Sequence, residues 1–187
     1  MRLIGEKVLY SGWGQFKLLD VQMSDGSTGV RQIDDHGEAA AVLPYDAGRG
    51  MALLVRQPRA GPLYRGLDPA MLEAAAGIID PGEDAASAIR REALEELGLR
   101  LGELEPVARV WTTPGVSSER IELYLAAYGE AQRVAPGGGL ASEHEDIAVL
   151  EMPLRELARM ADEGELTDLK TLALVLTLMR RRPELFA

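Results

Sequence analysis

The sequence predicts an α+β fold: a mixed sheet sandwiched with helices, preceded by a small N-terminal antiparallel β appendage. Three observations predict it. Strand-like and helix-like runs alternate from residue 38 to residue 187. Two β-rich runs around a turn precede them. A hydrophobic content of 47% over 187 residues is enough for one full-sized core.

The elements follow in order. Phe16 to Met23 reads as a strand, Ser24-Asp25-Gly26-Ser27 as a turn, and Thr28 to Ile33 as the return strand. Residues 1–37 therefore form the appendage, and residues 38–187 the main domain. Ala39 to Tyr45 and Met51 to Arg56 form an apolar hairpin around Asp46-Ala47-Gly48-Arg49-Gly50. Met71 to Ile79 is strand-like. Further strands are expected at Val107 to Thr112, Ile121 to Tyr128 and Ile147 to Met152. Three helices are expected. Ala85 to Leu97 has Asp84 as N-cap and Gly98 as a left-handed stop. Leu154 to Glu163 starts after Pro153 and ends before Gly164. Asp168 to Arg182 has Thr167 as cap and Pro183 as stop. Ala135-Pro136-Gly137-Gly138-Gly139 reads as a flexible loop.

Composition excludes several function classes. With no cysteine, the chain has no disulfide, thiolate metal site or cysteine nucleophile. A net charge of −10 disfavours nucleic acid as a partner. No segment resembles a membrane span or a signal peptide, so a cytoplasmic location is expected. A phosphorylated substrate would need metal ions to offset so acidic a chain. The placement of the acids therefore matters more than their number.

The helix at 85–97 carries an unusual charge arrangement. On a helical wheel Ala86, Ile89, Ala93 and Leu97 face the core. Glu92 and Glu96 border that stripe, and Glu95 lies one step toward solvent. Arg91 can pair with Glu95 one turn on and with Glu83 before the helix. Like charges at i, i+4 destabilise a helix by roughly 0.2–0.5 kcal/mol. A hard divalent cation between Glu92 and Glu96 would remove that conflict. Such a cluster alone is also what a solvated acidic face looks like.

The surrounding residues separate the two readings. Gly77, Glu83, Arg91, Glu92, Glu95, Glu96 and Gly98, with aliphatic Leu99, fill every fixed position of the pattern G-x5-E-x7-R-E-U-x-E-E-x-G-U, where Ala93 is a small residue at the first U. This resembles the Nudix box, and a chance match at a given start is on the order of one in 10⁸. The resemblance implies an α/β/α sandwich and hydrolysis of a pyrophosphate bond. It implies Mg²⁺ or Mn²⁺ held by Glu92, Glu95, Glu96 and the carbonyl of Ala76, with Glu96 also a catalytic residue.

The resemblance extends over roughly residues 38 to 182. Trp111-Thr112-Thr113-Pro114-Gly115, with Ser117-Ser118-Glu119-Arg120, looks like the ADP-ribose pyrophosphatase group and the related GDP-mannose pyrophosphatases. Pro114, Glu119 and Arg120 would then bind substrate. Val55-Arg56-Gln57-Pro58-Arg59 is similar to a segment whose arginines reach substrate phosphates, so Arg56 and Arg59 join them. Tyr64 and Trp111 could stack on a base or pack in the core. Glu143-His144-Glu145-Asp146 resembles the loop that supplies the residue orienting or deprotonating water, with Glu143 the first choice and Glu145 the second. The glycine run before it is closer to the GDP-mannose type. By the same resemblance the appendage joins a homodimer and helps form the substrate pocket. The expected substrate is a small nucleotide sugar. Hydrolysis of nucleoside triphosphates or dinucleoside polyphosphates, or a nucleotide-sugar sensor that binds without cutting, are the alternatives.

Overall fold

The computed structural model describes residues 1–140 and 146–187. The chain divides into two compact units, Met1–Ala39 with Arg109–Ile121, and Ala40–Ala108 with Glu122–Ala187.

The first unit is built on a three-stranded antiparallel sheet in the order β1-β2-β3, with β1 Arg2–Ser11, β2 Gln15–Gln22 and β3 Thr28–Asp35. The turn between β2 and β3 forms as its residues predict. Asp25 Oδ1 accepts from the Ser27 N–H at 3.0 Å, and Gly26 takes φ +85°. Strand β1 was not expected from sequence. Its pairing with β2 slips between Leu3 and Gly5 and again between Val8 and Tyr10. Such bulges break the period-2 alternation by which a strand is read. The 109–121 segment is tied on by backbone: the Asp34 N–H donates to Val116 O at 2.7 Å, and the Ser118 N–H to Asp34 O at 2.9 Å.

The second unit carries a seven-stranded sheet in the order β10-β5-β4-β9-β8, with β6 pairing β5 and β7 pairing β4. The strands are β4 Ala39–Asp46, β5 Met51–Pro58, β6 Ala70–Glu73, β7 Ala75–Ile78, β8 Glu105–Trp111, β9 Arg120–Ala127 and β10 Ala148–Pro153. The run 71–79 therefore splits. At the break the Ala74 N–H leaves the ladder and donates to the buried Thr171 Oγ1 at 2.7 Å. Strand β7 then continues beside β4 while β6 stays on β5.

Among the described residues four α-helices complete the fold: α1 Ala60–Tyr64, α2 Ala85–Leu97, α3 Leu154–Asp162 and α4 Leu169–Arg181. Helix α1 is a single turn with no buried residue, so no periodicity announces it. Helix α2 has the expected bounds. Asp84 accepts from the Ser87 N–H, and Gly98 takes φ +64°. The cap of α4 is Asp168 rather than Thr167: its carboxylate accepts from the Thr171 N–H at 3.0 Å, three residues on as a cap requires. Helix α2 packs on β7 and β5, and α3 packs on α4 and β10. Around α2, Val42, Leu53, Val55, Ile89, Leu97 and Leu99 are fully buried in one cluster. Each such side chain contributes roughly 1.5–3 kcal/mol. The mixed sheet with its helices, and the separate N-terminal sheet, are the expected fold class.

Candidate functional site

Helix α2 presents the acidic residues, and its packing differs from the wheel in one respect that matters. Glu96 is not at a border: it is 2% exposed, alongside Ala88, Ile89, Ala93 and Leu97. Ala86 is only half-buried, and Ala88 takes the core position expected for it. Glu92 and Glu95 are half-buried. The end of β7 receives the two glutamates. The Ala76 N–H donates to Glu96 Oε2 at 3.1 Å. A Cβ at Gly77 would lie 1.9 Å from Glu92 Oε1 and 2.0 Å from its Cδ. Glycine at 77 is thus what lets the Glu92 carboxylate lie against the backbone.

Arg91 organises the other acids. Its Nη1 donates to Glu92 Oε1 at 2.7 Å and to Glu95 Oε2 at 3.2 Å; its Nη2 donates to Glu83 Oε2 at 3.2 Å and to Ile78 O at 3.1 Å. Burial works against the guanidinium charge, but the bonds to Glu83 and Glu92 outweigh it and raise the Arg91 pKa above its ordinary value. The expected pairs of Arg91 with Glu83 and with Glu95 both form. Arg91 therefore braces the 78–83 loop against the helix.

The donor chemistry suits a hard cation: carboxylate oxygens of Glu92, Glu95 and Glu96 on one helix, beside the backbone of Ala76. Among the described residues no three acids or histidines converge as a ready-made metal cluster, and Arg91 is the cation that Glu92 and Glu95 face here.

The glycine run is docked, not loose. The N–H groups of Val134 and Ala135 donate to Gly98 O at 2.9 and 3.2 Å, that of Gly138 to Glu96 O at 2.8 Å and that of Gly139 to Glu95 O at 3.1 Å. These are carbonyls that a helix end leaves without partners. The loop serves as a C-terminal cap for the helix that carries Glu95 and Glu96. It also closes over the backbone of that last turn.

The remaining expected site residues divide between the units. In the second, Arg56 is exposed at the end of β5. Arg59 is held by Glu73, with Nε to Oε1 at 2.7 Å and Nη2 to Oε2 at 2.8 Å. In the first, Pro114 is exposed in a turn closed by the Ser117 N–H on Thr113 O at 2.9 Å. Glu119 lies 3.4 Å from His36 Nε2, and His36 Nδ1 lies 3.0 Å from Asp34. The Arg120 guanidinium sits over Trp111, 5.4 Å from the ring centre. Tyr64 and Trp111 are both exposed rather than packed in a core. Glu143 and Glu145 lie outside the described residues. Sequence reading missed Glu73 and Lys170. The available signal was a glutamate inside the apolar run Met71-Leu72-Glu73-Ala74-Ala75, where a charge is rarely buried without a partner.

Known proteins resemble this chain throughout its length. The NUDIX domain family profile matches residues 35–175. A GDP-mannose pyrophosphatase of Cronobacter sakazakii is 36% identical over 97% of this chain and 96% of its own. One from Klebsiella pneumoniae is 33% identical over 94% of this chain and 89% of its own. A crystal structure of an ADP compounds hydrolase matches with a TM-score of 0.77 at 17% identity, covering 98% of this chain and 94% of that one, which shows a shared fold. With the complete box folded as strand, loop and helix, and a match over most of its length, this chain belongs to the NUDIX domain family.

Proposed function

We propose that this chain is a metal-dependent hydrolase of the pyrophosphate bond in a nucleoside-diphosphate sugar, of the GDP-mannose or ADP-ribose type. The products are a nucleoside monophosphate and a sugar phosphate. The observation that carries the reading is the seating of Glu92 and Glu96 against the backbone at 76–77. Relatives named GDP-mannose pyrophosphatase over nearly the whole chain support the nucleotide sugar.

Glu92, Glu95, Glu96 and the Ala76 carbonyl would hold the ions, Mg²⁺ or Mn²⁺, which neutralise the diphosphate and polarise phosphorus. Arg59, and Arg56 from the strand end, bind phosphate oxygens. Pro114, Glu119 and Arg120 contribute to substrate binding. Glu143, or Glu145, takes the proton of the attacking water. The water oxygen bonds to one phosphorus, the bridging P–O bond breaks, and the other phosphate leaves with the electron pair. Arg91 keeps the 78–83 loop and the acidic face of α2 in register throughout.

The test is phosphate release with Mg²⁺ and added phosphatase, over GDP-mannose, ADP-ribose, other nucleotide sugars, dinucleoside polyphosphates and nucleoside triphosphates. Turnover concentrated on one nucleotide sugar is the expected result. Turnover of triphosphates alone would move the substrate class, and tight binding of a nucleotide sugar without turnover would make the chain a sensor.

We also propose a homodimer formed through the N-terminal sheet. Edge strand β1 exposes Leu3, Ile4, Val8, Leu9 and Tyr10 at 45–66%. An edge carrying that much apolar surface favours a partner. Light scattering should give twice the 20.2 kDa chain mass. A monomeric mass at working concentration would reject the dimer. No helix among the described residues is long and apolar enough to cross a membrane.

A further inference from the structure

Glu73 is 2% exposed, yet it is a carboxylate in the middle of an apolar run. It accepts both Nε and Nη2 of Arg59, and it also takes the ammonium of Lys170. Lys170 in turn reaches Asp168 at 3.1 Å, the cap of α4. Two cations and two anions balance, and the series of contacts ties β6 to α4. Burial works to raise the Glu73 pKa, but the Arg59 and Lys170 contacts outweigh it and hold it below the ordinary glutamate value, so the carboxylate stays charged.

The geometry at Arg59 is asymmetric. A guanidinium offers two forks, one through Nε and Nη2 and one through Nη1 and Nη2. Glu73 fills the first. The second takes no hydrogen bond among the described residues, on a side chain that is 43% exposed. Arg59 also feels the charge of Glu96, so it lies within electrostatic reach of the acidic face of α2. A long arginine otherwise loses rotamer freedom when it is fixed on a ligand. Here that ordering is already done by a buried partner.

We propose that Glu73, steadied by Lys170, is a positioning residue that locks the inner fork of Arg59 and thereby aims its outer fork at the substrate diphosphate. This rests on the proposed function, in which Arg59 is a phosphate contact. Neutralising Glu73 lets the guanidinium swing, and binding of the diphosphate weakens although Arg59 itself remains.

The experiment is a double-mutant cycle on the full chain: Glu73→Gln, Arg59→Met and both together. The readouts are KM and kcat for GDP-mannose with Mg²⁺, the thermal midpoint, and Kd for the non-hydrolysable α,β-methylene analogue of GDP-mannose by calorimetry. Arg59→Met should raise KM and analogue Kd by roughly 10- to 100-fold, as loss of a charged hydrogen-bond pair does. Glu73→Gln should raise both by about 10-fold, with kcat changing less than KM. In the Arg59→Met background it should add less than about 2-fold, because the two act as one unit. A purely structural Glu73 would lower the midpoint and leave no such coupling. If Arg59→Met leaves KM and Kd unchanged, Arg59 is no phosphate contact, and the underlying assignment fails together with the positioning role. If Arg59→Met weakens binding while Glu73→Gln does not, or if the Glu73→Gln effect persists without Arg59, positioning is overturned and the proposed function stands. Should Glu73→Gln not fold, Glu73→Asp keeps the charge but withdraws the carboxylate by one methylene, and the same cycle and outcomes apply.

Discussion

Glu96→Gln should lower kcat for the nucleotide sugar about 10³-fold, with the thermal midpoint within a few degrees of the parent. The separation of the two effects follows from what the substitution keeps. Glutamine has the same volume, so no cavity opens in a site that is 2% exposed. It also keeps an oxygen to accept the Ala76 N–H that Glu96 Oε2 accepts at 3.1 Å. What disappears is the negative charge. An ion at such a site supplies several kcal/mol of transition-state stabilisation, and each 1.36 kcal/mol is tenfold in rate. Losing about 4 kcal/mol of it gives the thousandfold. Steady-state kinetics with Mg²⁺, beside a thermal melt by circular dichroism, checks both halves. Near-parental kcat would remove Glu96 from the proposed metal set.

Gly98→Ala should be the more damaging change to stability, by about 2–4 kcal/mol. Two costs add. The residue sits at φ +64°, where a Cβ costs roughly 1 kcal/mol. The Cβ would also stand 1.9 Å from Ala135 O, 2.4 Å from Ala135 C and 2.8 Å from Gly137 N. Those are backbone atoms and cannot rotate aside, so overpacking adds about 1–3 kcal/mol. At roughly 2–4 °C per kcal/mol for a chain of this size, the midpoint should fall by about 4–16 °C. Gly82→Ala is the matched control. Its φ is +88°, but nothing lies within 4 Å of the added Cβ, so only the strain remains. Equal losses in the two variants would show that the 133–139 loop is not interlocked with the end of α2. If the interlock is real, kcat should fall further in Gly98→Ala than in Gly82→Ala, because the loop's bonds to Glu95 O and Glu96 O would be displaced.

That interlock is also where sequence reading stopped. Three consecutive glycines read as a flexible connection because glycine is permissive everywhere. In the fold the same property serves a fixed structure. Gly137, Gly138 and Gly139 all take positive φ so that successive N–H groups can turn toward the helix carbonyls. A Cβ at Gly137 would lie 2.4 Å from Glu96 O. Nothing local to the loop announces a partner some forty residues earlier. The split of 71–79 was hidden for a similar reason: the group that takes the Ala74 N–H is Thr171, 97 residues away.

Whatever is fixed within a turn or two of chain was legible in the residues alone. Helix α2 begins at its Asp84 cap and stops at Gly98 because capping bonds and left-handed glycine act over three or four residues. Arg91 meets Glu95 one helical turn on, a partner readable from spacing, and Glu83 eight residues back, a partner suggested by its place in the box. The box residues, and with them the family, belong to this local category. How deep each acid lies, and which cation it faces, depends on packing between distant segments. Glu96 is buried where strand β7 meets α2, with its carboxylate on the Ala76 N–H. Glu73 is charged in an apolar run because Arg59 and Lys170 arrive from elsewhere in the chain. Periodicity shows which face of an element is apolar. It carries no record of the distant side chain that will make a buried charge tolerable, since that pairing exists only once the sheet and helices have packed.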